Sequence, residues 1–121
     1  MSRVQVALNV SNIDAAIAFY SEMFKTSPAK VRPGYANFAI ADPPLKLVLI
    51  ENTEGAGTLN HIGVEVESTD ELPETKQQET CCYAVQDKVW VDGPDGLAWE
   101  FYAVLGDADV MSVRAEGACC S

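Results

Sequence analysis

The chain has 121 residues, 48% hydrophobic and 21% charged, enough for one compact domain with its own core and too few for two independent ones. Its formal net charge of −10, with only eight scattered Lys and Arg, excludes a nucleic-acid-binding surface, which needs clustered cations. The start MSRVQVALNV alternates instead of running apolar, and no stretch approaches the ~20 apolar residues of a membrane span, so a cytoplasmic protein without a membrane partner is expected.

From Arg3 to Val10 the residues alternate, with Val4, Val6, Leu8 and Val10 on one face and Arg3, Gln5, Ala7 and Asn9 on the other, which predicts a half-buried strand. Ser11 and Asn12 then offer a helix N-cap with Asp14 in the first turn, and Ile13, Ala16, Ile17, Tyr20 and Phe24 recur at helical spacing. This helix ends before Pro28. Two strand-like runs follow, Tyr35 to Ala41 and Leu45 to Glu51, parted by the turn Asp42-Pro43-Pro44, and Ala29 to Arg32 is a candidate for a further short strand.

The same unit then recurs. A shift of 56 lays LNHIGVEVES on RVQVALNVSN, matching Ile62, Val64 and Val66 to Val6, Leu8 and Val10, and Asp70 to Asp14. A shift of 52 lays WVDGPDGLAWEFY on FAIADPPLKLVLI, with Pro94-Asp95-Gly96 as the turn. The expected fold is therefore α+β: two strand-helix-strand-strand-strand (βαβββ) modules, about 1–54 and 58–105, forming one domain with a curved mixed sheet around a metal cavity. Gly55-Ala56-Gly57 is the hinge between copies, and 106–121, lacking periodicity, is expected to be a flexible tail.

Duplication places equivalent strand positions around one cavity. His61 falls where the first copy has Gln5, both on the polar face of a strand and pointing away from the helix-packed core. Glu100 lies on the last strand of the second copy, with Ala98 and Tyr102 as face-mates, and its first-copy counterpart is Val48. Read singly, each of the three is more often an ordinary hydrogen-bonded or solvated residue. Together they offer an amide oxygen, an imidazole and a carboxylate, a three-ligand face that leaves metal positions open, whereas a structural metal is normally closed by four ligands.

The four cysteines form two adjacent pairs, Cys81-Cys82 and Cys119-Cys120, which is no disulfide framework; free thiols, soft ligands for soft elements, are expected. To act on one atom, Cys81 and Cys82 must sit in a turn just before the strand that begins near Tyr83, because strand neighbours point to opposite faces. Cys119 and Cys120 are equally readable as a capture site for thiophilic ligands and as an incidental tail.

The modules, the His opening the second one and the ending PDGLAWEFY resemble the vicinal oxygen chelate superfamily of glyoxalases, bleomycin resistance proteins and extradiol dioxygenases, over roughly residues 1–105. More narrowly, TCCYAVQDKVWVDGPDG resembles the organoarsenical carbon-arsenic lyases and cadmium-induced proteins. The resemblance implies an Fe(II)-dependent extradiol-type dioxygenase that cleaves trivalent methyl- or aryl-arsenicals to arsenite with O2. It implies iron on Gln5, His61 and Glu100 and arsenic on Cys81 and Cys82. Lys88 and Tyr102 are candidate catalytic residues for orienting substrate or stabilising a developing charge, although lysines are more often solvated. A homodimer is compatible with the sequence.

Two other functions fit the same fold. A sequestering protein for soft metals, arsenicals or drugs needs only the cysteines; a glyoxalase-like isomerase needs a fourth metal side chain, where this chain has Val48. One departure stands out: only Ser68 to Thr80, interrupted by Pro73, separates the His61 strand from Cys81. That leaves room for a short helix at most where the resemblance implies a fuller helix and a loop; the shortfall reads either as a trimmed protein or, the favoured reading, as a mobile segment omitted from this sequence.

Overall fold

The computed structural model describes the backbone of residues 2–71, 77–81, 84–107, 113–114 and 117–118, with side chains at 2–68, 70–71 and 88–104. The chain is α+β and divides into two compact units, Val4–Asn60 and the second formed by Met1–Arg3 with His61–Ser121. Among the described residues no helix is long and apolar enough to cross a membrane.

The first unit is built as its alternation predicts. β1 (Arg3–Val10) is followed by α1 (Ile13–Phe24), β2 (Lys30–Arg32), β3 (Tyr35–Ile40) and β4 (Leu45–Glu51). Asn12 caps α1, its side-chain oxygen accepting the Ala15 amide at 2.9 Å. The helix stops at Lys25, which takes a left-handed conformation with φ of 52° while its amide and that of Thr26 reach back to Glu22 and Ser21. β2 and β4 flank β3 antiparallel, and β4 pairs in parallel with β1, giving the order β2-β3-β4-β1.

Ala36, Phe38, Ile40, Leu47 and Leu49 form the core of this unit. Onto it pack Val6, Leu8 and Val10 of β1 and Ile13, Ala16, Ile17, Tyr20 and Phe24 of α1. A fully buried Phe or Leu contributes about 1.5–3 kcal/mol here, so this apolar layer dominates the unit's stability. The polar face of β1 is not solvated, in contrast to the half-buried strand expected from alternation: Gln5, Ala7 and Asn9 are more deeply buried than Val6, Leu8 and Val10. Asn9 is accommodated because its side chain is bonded on both ends, donating to Thr58 Oγ1 at 2.9 Å and accepting from Asn60 Nδ2 at 2.8 Å. Its backbone also pins the Gly55–Thr58 turn, accepting from Gly57 and donating to Thr58, both at 2.9 Å. The glycine-rich hinge of the sequence is thus a bonded turn.

The second unit repeats the pairing scheme. β5 (Leu59–Val66) leads into one turn of 3-10 helix (Thr69–Glu71), then β6 (Gln77–Cys81), β7 (Ala84–Asp92) and β8 (Ala98–Asp107). β6 and β8 flank β7 antiparallel and β8 pairs in parallel with β5, giving β6-β7-β8-β5, the counterpart of β2-β3-β4-β1. Where the first unit has a twelve-residue helix, this one has a single turn among the described residues. The helix start is nonetheless written: Glu71 accepts from the Ser68 amide at 3.0 Å, the reach-back bond of a capping box. β8 runs two residues past 105 into the segment expected to be tail, because β7 keeps pairing with it as far as Ala84 opposite Asp107. Beyond it, β9 (Val113–Arg114) pairs with β10 (Gly117–Ala118).

Candidate functional site

Register decides which side chains share a face. In the parallel pair Gly63 stands opposite Glu100 and Glu65 opposite Tyr102, and in the antiparallel pair Trp90 stands opposite Glu100 and Lys88 opposite Tyr102. Residues facing each other across a ladder point the same way, as do residues two apart on one strand. His61 and Gly63 of β5, Glu100 and Tyr102 of β8, and Lys88 and Trp90 of β7 therefore occupy one face of the second unit. Tyr102 is fully buried, Lys88 and Glu100 are 2% exposed and His61 is 6% exposed.

Three ionisable side chains held this far from water survive only by pairing with one another. Lys88 Nζ donates to Glu100 Oε2, and His61 Nε2 lies 3.5 Å from Glu100 Oε1. Burial pushes the Glu100 carboxyl upward, but the contacts with His61 and the charge of Lys88 outweigh it and hold the group below its ordinary 4.5. The carboxylate is thus ionised, one oxygen on the ammonium and the other turned to the imidazole. Trp90 forms the wall: its ring meets His61 edge-on, centroids 5.7 Å apart, and the Lys88 ammonium lies 5.7 Å from the centroids of both Trp90 and Tyr102.

The donor set suits a divalent transition metal. An imidazole nitrogen and a carboxylate oxygen are ligands of that class, and their 3.5 Å separation is near that of neighbouring ligands each ~2.1 Å from one ion. Of the sequence candidates, the structure brings together His61, Glu100, Lys88 and Tyr102. Gln5 is 4% exposed on β1 of the first unit, on the face opposite the α1-packed Val6 and Leu8. Among the described residues no three His, Cys, Asp or Glu cluster together.

Cys81 closes β6 opposite Ala84, which opens β7, so it stands at the end of that hairpin. The side chain of Cys81, and Cys82, Cys119 and Cys120 entirely, lie outside the described residues. From Ala84 to Lys88 is four residues, about 13 Å at the rise of a strand. Two residues of this face escaped the sequence reading. Trp90 carried a usable signal, since it alternates with Lys88 on one strand; Gly63 carried one too, standing two residues after His61 where the first copy has Ala7.

A profile of the Glyoxalase/Bleomycin resistance protein/Dioxygenase superfamily matches residues 3–78. A trivalent organoarsenical cleaving enzyme of Thermomonospora curvata is 55% identical over 135 aligned positions, covering 100% of this chain and 89% of the relative. The cadmium-induced protein CadI of Mycobacterium tuberculosis is 56% identical, covering 92% of this chain and 82% of its own length. The first alignment exceeds the 121 residues of this chain by 14 positions, so that relative holds at least 14 residues without a counterpart here. Among solved structures, a glyoxalase/bleomycin resistance protein/dioxygenase superfamily member from Vibrio splendidus shares the fold with a TM-score of 0.58 at 14% identity, covering 87% of this chain and 100% of that one. With its repeated strand pairing and these relatives, the chain belongs to the glyoxalase/bleomycin resistance protein/dioxygenase superfamily, in the group of the trivalent organoarsenical cleaving enzymes and cadmium-induced proteins.

Proposed function

We propose that this chain is an Fe(II)-dependent carbon-arsenic lyase that uses O2 to convert trivalent organoarsenicals to arsenite, with Gln5, His61 and Glu100 as metal ligands and Cys81 and Cys82 as the arsenic-binding pair. The observation that carries the reading is the buried, ionised Glu100 with one oxygen turned to His61. The 55% identity to an enzyme named for cleaving trivalent organoarsenicals supports the substrate class. A sequestering protein would have no use for a desolvated imidazole-carboxylate pair, which costs free energy to bury.

The overall reaction balances without an external reductant. Methylarsonous acid and one O2 together equal arsenous acid and formaldehyde atom for atom; the carbon-arsenic bond breaks, arsenic stays trivalent, and the methyl carbon is oxidised by four electrons that reduce both oxygen atoms. Ferrous iron, when bound, supplies the one-electron chemistry that lets triplet O2 react with a closed-shell substrate. The thiolates of Cys81 and Cys82 displace hydroxyls from arsenic and convert a diffusing substrate into a tethered one, which raises its effective concentration. They stay thiols in a reducing compartment such as the cytoplasm. His61 and Glu100 fix the metal, with Gln5 as the neutral third ligand. Lys88 and Tyr102 face developing negative charge on the substrate side, and Trp90 and Tyr102 exclude water from the face where it forms.

Arsenite release tests the division of labour. Reduced, Fe(II)-loaded protein incubated with methylarsonous acid should release arsenite; Cys81→Ser and Cys82→Ser should lose arsenical affinity while keeping Fe(II) affinity, and His61→Ala the reverse. Tight arsenical binding by the parent chain without arsenite release would leave sequestration as the function.

A further inference from the structure

Gly63 does nothing in the chemistry above, yet it is the residue against which Glu100 is packed. A Cβ built on Gly63 would lie 2.5 Å from the Glu100 carbonyl oxygen, 3.1 Å from its Cβ and 3.3 Å from its carbonyl carbon. These are backbone and near-backbone atoms, which cannot swing aside as a side-chain tip can. Contacts under 3.0 Å are essentially never seen, so a side chain at 63 would force β5 and β8 apart by about half an ångström at this point. Glycine is not needed here for its conformational freedom: the glycines of positive φ are Gly34, Gly57 and Gly96. The requirement is space alone.

The internal repeat shows that the requirement is not general to the fold. The Gly63–Glu100 pair of β5 and β8 corresponds to the Ala7–Val48 pair of β1 and β4, at the same parallel register. There the strand pairing carries a Cβ at the equivalent place. In the second unit the partner is the carboxylate residue, and the bare backbone lets its carbonyl and Cβ move into the vacant space, from which the side chain reaches across to His61, two residues earlier on the same face of β5. We propose that Gly63 is a positioning residue for the metal site: by leaving room for Glu100, it sets the distance between Glu100 Oε1 and His61 Nε2. The proposal rests on the reading of His61 and Glu100 as metal ligands. A metal tolerates about 0.2 Å of error in a ligand distance, less than half of the displacement an alanine would impose.

The test uses Gly63→Ala beside Val64→Ala, which removes packing from the other face of the same strand. Fe(II) affinity is read by anaerobic titration, thermal stability by melting, and the imidazole of His61 by NMR, since it is the only histidine in the chain. Gly63→Ala should fold, as Ala7 does in the sister pair, show a shifted His61 resonance without metal, and lose about ten-fold or more in Fe(II) affinity, the scale of residues that orient ligands. Val64→Ala should lower the melting temperature and leave Fe(II) affinity unchanged. Parental Fe(II) affinity in Gly63→Ala would overturn the proposal, and so would its failure to fold, which would make the role structural. If the parent chain itself binds no Fe(II), the metal reading fails, and an unshifted His61 resonance in Gly63→Ala would then separately dispose of the positioning role.

Discussion

At Glu100 the two carboxylate oxygens have different partners, and that division organises the site: Oε2 accepts the Lys88 ammonium, which keeps the buried group ionised, while Oε1 faces His61. The sequence placed His61 and Glu100 in play because strand alternation and the repeat fix faces, and Lys88 because it lies in the run that follows Cys81 and Cys82, but it could not show that Lys88 is buried. A lysine in a polar run reads as solvated, and only the β7–β8 register reveals that it stands beside Glu100. The lowered folded-state pKa of Glu100 has a consequence for metal-free protein. A carboxyl that holds its proton less readily when folded stabilises the fold above its unfolded value of about 4.5, and that stability is lost as pH falls through the folded value. Urea unfolding of the metal-free chain at a series of acidic pH values should therefore show a steep loss of stability below about pH 4.5 that is shallower in Glu100→Gln. Equal slopes in the two proteins would mean that Glu100 is not held ionised by its neighbours.

Among the elements, β1, α1, β3, β4 and the strand of His61 were legible from periodicity and the Asn12 cap, because each follows from local chemistry. The order in which the strands pair was not written in any one segment; it emerged only because the repeat made β6-β7-β8-β5 the image of β2-β3-β4-β1. The second module shows where local signals stop. Ser68 and Glu71 form the bonded pair that opens a helix, and among the described residues a single turn follows it. The T. curvata relative holds at least 14 residues without a counterpart in this chain. The first module, by contrast, depends on a complete helix whose inner side covers the apolar core. Asn12→Ala should remove its cap and cost about 1 kcal/mol in chemical denaturation; a loss near zero would show that packing alone starts the helix.

For the molecule as a whole, duplication explains how a short chain comes to carry a buried ionic site. One copy has Val48, buried between Ala7 and Asn37 of the neighbouring strands, and the other has Glu100 at the matched position and supplies it with His61, Lys88 and the space left by Gly63. The superfamily and the α+β fold were readable from that repeat together with the PDGLAWEFY ending, whereas the substrate was readable only through the run around Cys81 and Cys82, whose side chains lie outside the described residues. The central claim, oxygen-dependent cleavage on the face of His61 and Glu100, is tested most directly by turnover of methylarsonous acid with reduced, Fe(II)-loaded protein in air and under strict anaerobiosis. Arsenite and formaldehyde should appear in equal amounts, together with consumption of one O2 for each, and neither should form without oxygen. Arsenite released at the same rate in the absence of O2 would contradict it.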